Sequence, residues 1–149
     1  MVTFFRTDKM KRLLFVYWLL VPLLFGVYLL SFAAVKTVSV SSIFLTIPAI
    51  TLTTIVVLLL LFQLYGLSIL GDSSGCRHSL LGVYLKFSMI QQLFTVNIPG
   101  FLLCLFFYRS LSDSKENSTL SKQVRWLSYM LMVMVGLLTI LVTWIRLSL

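Results

Sequence analysis

Residues 80–108, LLGVYLKFSMIQQLFTVNIPGFLLCLFFY, decide how this chain is arranged. At ~1.5 Å per residue the stretch is long enough, as one helix, to cross the ~30 Å of hydrocarbon in a bilayer. Its apolar residues run continuously instead of alternating, which favours a helix over a barrel strand. Yet Lys86, Ser88, Gln91, Gln92, Thr95 and Asn97 interrupt it, and Pro99-Gly100 follows at once. Pro99 lacks a backbone donor and leaves the carbonyl of Thr95 without its helical partner, so the helix must kink or break there. The reading adopted from sequence is a single crossing kinked near Pro99. The alternative is a re-entrant segment that dips into the membrane and returns to the face it came from.

Three further apolar runs, 13–34, 43–70 and 126–145, flank this one with only short polar joints between them. Together they predict an all-α integral membrane bundle of four transmembrane segments, or three spans plus the re-entrant one. Composition agrees: 60% of residues are hydrophobic and 11% charged, against ~45–50% and ~25% in a soluble domain. The longest polar segment, 109–125, is too short to bury a core of its own, so residues 1–149 read as one membrane domain. The first run has a basic start and small residues after it, as a signal peptide would. It exceeds the ~7–15 residues of an ordinary signal core and is read as a retained signal-anchor helix.

The formal charge of +8 does not point to nucleic acid, because the basic residues stand at the ends of the apolar runs and not along one face. Arg6, Lys9, Lys11 and Arg12 form a cluster before the first run and read as lipid-headgroup anchors. Such a cluster favours a cytoplasmic amino terminus, in a plasma membrane, with each basic residue near an anionic surface contributing ~1 kcal/mol. Four spans then distribute the remaining basic residues almost evenly across the bilayer. In the re-entrant arrangement every basic residue except Lys36 and Arg146 falls on the inner side, the better fit to the positive-inside tendency.

On a continuous helix Ser88, Gln91, Gln92 and Thr95 share one face, while Lys86 and Asn97 share another. The first explanation for these groups is packing: amides and hydroxyls bond to neighbouring helices at ~0.6 kcal/mol each, and Lys86 snorkels. The second is that Gln91, Gln92 and Asn97 line a polar cavity for a solute, headgroup or peptide, since intramembrane polar groups mark functional sites. Elsewhere, Pro22, Gly26 and Ala33 on the first run and Ser128, Met132, Gly136, Thr139 and Thr143 on the fourth form small-residue stripes suited to helix packing. Thr46, Thr51, Thr53 and Thr54 are expected to bond their own helix carbonyls. Pro22, Pro48 and Pro99 each predict a kink.

Catalytic and cofactor chemistry find little support. Asp8, Asp72, Asp113 and Glu116 all lie in the polar joints or the amino-terminal tail, and His78 is the sole histidine. Acid–base catalysis, divalent-metal binding and proton coupling depend on such groups, so no catalytic residue, metal ligand or cofactor is assigned. The joint 71–79 reads as a tight turn that could instead hold an anionic headgroup through Arg77. Cys76 and Cys104 form no motif and are expected to stay unpaired. Asn117-Ser118-Thr119 is a glycosylation acceptor triplet, relevant only to a lumenal loop.

The passage from Gly71 through Pro99, a glycine turn followed by a basic, hydroxyl-bearing helix start and then a proline, resembles the Yip family of membrane-trafficking proteins. That resemblance covers less than a third of the chain and implies a fifth span that this sequence does not supply. Size and layout are also similar to small bacterial bacteriocin-immunity and accessory proteins, which is a likeness of architecture alone. The functional expectation is a non-catalytic accessory, interaction or immunity-type subunit whose helix faces bind another membrane protein or a second copy of itself. A small carrier or channel, with oligomers assembling a polar path from Ser88, Gln91, Gln92, Thr95 and Asn97, is the alternative. An interfacial enzyme built on His78, Asp72 and Arg77 is the weakest reading.

Overall fold

Prolines and hydroxyl caps divide the apolar runs into six described helices in the computed structural model, which describes residues 2–71, 76–113 and 120–149, with side chains from Arg6 onward. Helix α1 (Val2–Lys36) contains Pro22 and ends where Thr37 turns left-handed at φ 53°. Helix α2 (Val40–Thr46) is a short piece capped by Ser39, and α3 (Pro48–Leu70) follows after Ile47. Pro48 therefore starts a helix instead of bending one, at the position where its missing N–H costs nothing. Helix α4 (Leu80–Phe94) begins at Ser79, whose side chain accepts from the Gly82 N–H, and α6 (Lys122–Ser148) begins at Ser121 in the same manner. Between them lies α5 (Ile98–Ser110), capped by Asn97.

The chain is all-helical among the described residues, and three helices are long and apolar enough to cross a membrane: α1 from Arg6, α3 and α6. Each keeps most of its apolar surface outward. Leu20, Leu23 and Leu24 on α1 and Val133, Leu137 and Ile140 on α6 are all exposed.

The stretch 80–108 does not form the single kinked helix expected of it. Helices α4 and α5 pack side by side, and the Arg77 N–H at the start of α4 donates to the Ser112 carbonyl beyond the end of α5 at 2.8 Å. A continuous helix would hold those two residues ~50 Å apart, so the run doubles back as a hairpin. Its turn is built from backbone: the Val96 N–H donates to Leu93 O and the Asn97 N–H to Gln92 O, with Val96 left-handed at φ 58°. This is the double-bonded helix ending that glycine usually supplies. Pro99 then falls in the first turn of α5, where it removes no helical bond. Pro99 thus opens a second helix where a kink is expected from sequence, because the reversal at Val96 comes just before it.

Two contacts with α1 measure how far the hairpin reaches. Thr7 Oγ1 donates to Ser110 O at the end of α5 (2.8 Å), and the Tyr17 hydroxyl donates to Asn97 Oδ1 at the hairpin turn (2.6 Å). Ten residues of α1 separate those levels, or ~15 Å; against α6 the hairpin reaches further, since Phe94 shares a groove with Trp144 and Leu147 near that helix's end. The core lies around these contacts, where Leu14 and Trp18 of α1, Leu67 of α3, Tyr84 and Leu85 of α4 and Phe107 of α5 are buried together.

The hairpin also gathers charge. The starts of α1, α4 and α6 and the ends of α3 and α5 share one end of the bundle, so Arg6, Lys9, Lys11, Arg12, Arg77, Arg109, Lys122 and Arg125 stand there, while Lys36 and Arg146 lie in the last turns of α1 and α6. The turn residues 72–75, Glu116 and the triplet 117–119 lie outside the described residues.

Candidate functional site

Three glutamines from two helices meet inside the bundle. Gln92 Nε2 donates to Gln63 Oε1 at 2.6 Å, and Gln63 Nε2 donates to Gln91 Oε1 at 2.7 Å. All three are at most 2% exposed. The spacing of α4 makes this possible: adjacent residues Gln91 and Gln92 diverge by ~100° around the helix, which lets them clasp the Gln63 amide of α3 from two sides. The Tyr84 hydroxyl, one turn closer to the basic end, donates to the Gln63 backbone carbonyl at 2.5 Å. Gly66 on α3 is what lets Tyr84 in, because a Cβ there would stand 2.7 Å from the Tyr84 Cζ.

Each amide can donate and accept, so the chain of three has two loose ends. Gln92 Oε1 and Gln91 Nε2 are buried with no hydrogen-bond partner among the described residues. The first lies against Gly100 in the first turn of α5, where a Cβ would approach it to 2.5 Å. The second belongs to a residue that lines an apolar groove of about 300 Å³ between α4 and α6, walled by Phe87, Ile90 and Phe94 on one side and Gly136, Ile140 and Trp144 on the other. A buried amide without a partner costs on the order of 1–3 kcal/mol. The groove therefore overlies a buried amide with an unmet donor, while the Thr139 and Thr143 hydroxyls in its wall are turned to their own helix.

The residues singled out from sequence are only partly brought together. Ser88, Gln91 and Gln92 are buried on α4 as a group. Thr95 instead closes the helix, with its hydroxyl directed at the carbonyls of Gln91 and Gln92. Asn97 belongs to the turn, accepting from Tyr17 and from the Gly100 N–H. Lys86 does not share a face with Asn97; its ammonium lies 5.5 Å from the centre of the Tyr108 ring on α5.

On α6, Gly136, Thr139 and Thr143 line the groove, the two hydroxyls donating to Val135 O and Thr139 O of their own helix. Ser128 is buried and bonds Val124 O. Pro22, Gly26 and Ala33 on α1 are half-buried and outside the site, and nothing stands within 4 Å of where a Gly26 Cβ would be. Among the basic anchors, Arg6 lines a cavity at the basic end, Lys11 packs against Gly71, and Lys9 and Arg12 are exposed. Cys76 Sγ accepts from the Ser112 hydroxyl at 3.8 Å, and Cys104 is buried in α5.

Sequence reasoning overlooked Gln63. It is the only amide side chain in the run 43–70, and that isolation was the available signal, because an amide in an apolar helix must find a partner on another element. No family model matches the chain, and comparison with curated proteins and with solved structures finds no match.

Proposed function

We propose that this is a multi-pass protein of the plasma membrane with three crossings, α1, α3 and α6, and a re-entrant hairpin, α4–α5, that enters from the cytoplasmic face and turns at mid-depth. The concentration of arginine and lysine at one end supports a cytoplasmic amino terminus. The return of α5 to the end where α4 began, fixed by the Arg77–Ser112 backbone bond, supports the re-entrant placement over four spans. Non-helical backbone at the turn is acceptable at that depth because protein covers part of it and capping bonds satisfy it.

Its proposed role is that of a non-catalytic accessory subunit, immunity-type function being one form, which receives a transmembrane helix of another membrane protein in the α4–α6 groove. The observation that carries this reading is the unpartnered Gln91 amide in an apolar wall. Acyl chains have no hydrogen-bond acceptor to offer at mid-depth, whereas a helix bearing Ser, Thr, Asn or Gln does. Rotating the three amides together would present an acceptor instead of a donor, so either polarity of partner side chain is accommodated. The channel alternative gains less support, since Gln63, Gln91 and Gln92 direct their amides to each other.

Purification from native membranes tests the proposal. Wild-type protein should co-purify with a membrane partner that Gln91→Leu and Ile140→Trp both lose, while each variant still elutes as a folded species in detergent. Solute flux through liposomes containing the purified protein alone, with partner capture unaffected by both substitutions, would refute it.

A further inference from the structure

The hairpin brings together three arginines that are remote in sequence. Arg6 of α1, Arg77 before α4 and Arg109 in the last turn of α5 line a cavity of about 680 Å³ at the basic end, with Leu105 and Phe106 lower on its wall. Arg77 is held by the hairpin itself: its guanidinium donates to Arg109 O at 2.8 Å and to Tyr108 O at 3.4 Å, and pairs with Asp113 at 3.3 Å. Arg6 and Arg109 have no counter-ion among the described residues, and both are exposed. Among the described residues, three guanidinium groups against the Asp113 carboxylate leave two positive charges over. Arginine clusters with planar donors match phosphate oxygens.

We infer that this cavity binds the phosphate of an anionic glycerophospholipid from the cytoplasmic leaflet, between Arg6 and Arg109, with Arg77 as the fixed third donor. Phosphate chemistry alone would equally describe a free phosphate ion. What points to a lipid is the wall below the charges: Phe106 is 49% exposed and Leu105 half-buried one turn further from the basic end, the level at which a glycerol backbone and the first methylenes would lie. The inference rests on the membrane placement proposed above but not on the α4–α6 groove or its partner. A bound lipid would tie α1 to the end of the hairpin and so stabilise the fold in proportion to its occupancy.

The test uses the full chain in neutral detergent, titrated with short-chain phosphatidylglycerol, phosphatidylcholine or inorganic phosphate while thermal unfolding and bound lipid are followed. Phosphatidylglycerol should bind and raise the unfolding temperature, phosphatidylcholine should do so far more weakly, and phosphate alone should have little effect. Arg6→Gln and Arg109→Gln should each weaken phosphatidylglycerol binding about tenfold, as expected for loss of one charge-assisted bond, and Arg109→Lys should recover part of that. Arg125→Gln and Lys36→Gln, which remove the same charge elsewhere, should leave it unchanged. Equal losses from all four glutamine variants, or no loss from Arg6→Gln and Arg109→Gln, would overturn the site. Phosphate protecting as well as the lipid would overturn the lipid assignment. Partner capture through the groove would be unaffected in either case.

Discussion

Val96 holds a backbone conformation that costs a β-branched residue about 1–2 kcal/mol, because its Cβ crowds the following carbonyl. It does so at the tip of the hairpin, with its side chain 69% exposed, so little packing is gained in return. Val96→Gly should therefore stabilise the protein by about 1 kcal/mol, seen as a higher midpoint of thermal unfolding in detergent. Gly66 makes the opposite case. A methyl there would meet the Tyr84 ring, which is clamped between α3 and α4 by its bond to Gln63 O, and Gly66→Ala should destabilise by about 1–3 kcal/mol through overpacking. Neither role was legible in the chain: Gly66 reads as one small residue in a leucine-rich run, and Val96 as a good former of regular structure. The constraint on Gly66 comes from Tyr84 on another helix, and that on Val96 from the local reversal that ends α4.

At the scale of elements, the apolar runs and their caps were legible and the reversal within one of them was not. Continuous hydrophobicity located α1, α3 and α6, and the polar residues of the run 80–108 marked it as different. Whether Pro99 bends a helix or opens a second one depends on the three residues before it, and Thr95-Val96-Asn97 contain no glycine to announce a turn. The positive-inside tendency favours the doubled-back arrangement, whereas the length of the run alone fits a single crossing. What joins the hairpin to α3 is the glutamine chain, and its energetics can be separated. Gln63→Leu removes both amide bonds and strands Gln91 and Gln92 in the interior, whereas replacing all three glutamines by leucine removes the demand together with the bonds. Because leaving a buried group unpaired costs more than deleting both partners, the single variant should lose more stability than the triple. Thermal unfolding of the two in one detergent checks the order.

For the whole molecule, the proportions are those of a thin bundle in an apolar solvent. It exposes 9471 Å², against ~7,700 Å² expected for a compact soluble protein of 17.0 kDa from the scaling of surface with mass. Much of the excess is leucine, valine and aromatic surface on α1 and α6, which water would not tolerate and lipid would. Within that frame the hairpin packs on α1 and α3, and α4 meets α6 along the groove. Membrane sidedness tests this arrangement most directly. In a background with Cys76 and Cys104 replaced by serine, His78→Cys before α4, Ser121→Cys before α6 and Val38→Cys beyond α1 are each exposed to an impermeant thiol reagent in intact and opened cells. A re-entrant hairpin predicts that positions 78 and 121 react alike, only after the membrane is opened, while position 38 reacts in intact cells. Reaction of positions 78 and 121 from opposite sides would mean that residues 80–108 cross the bilayer, and would contradict the account.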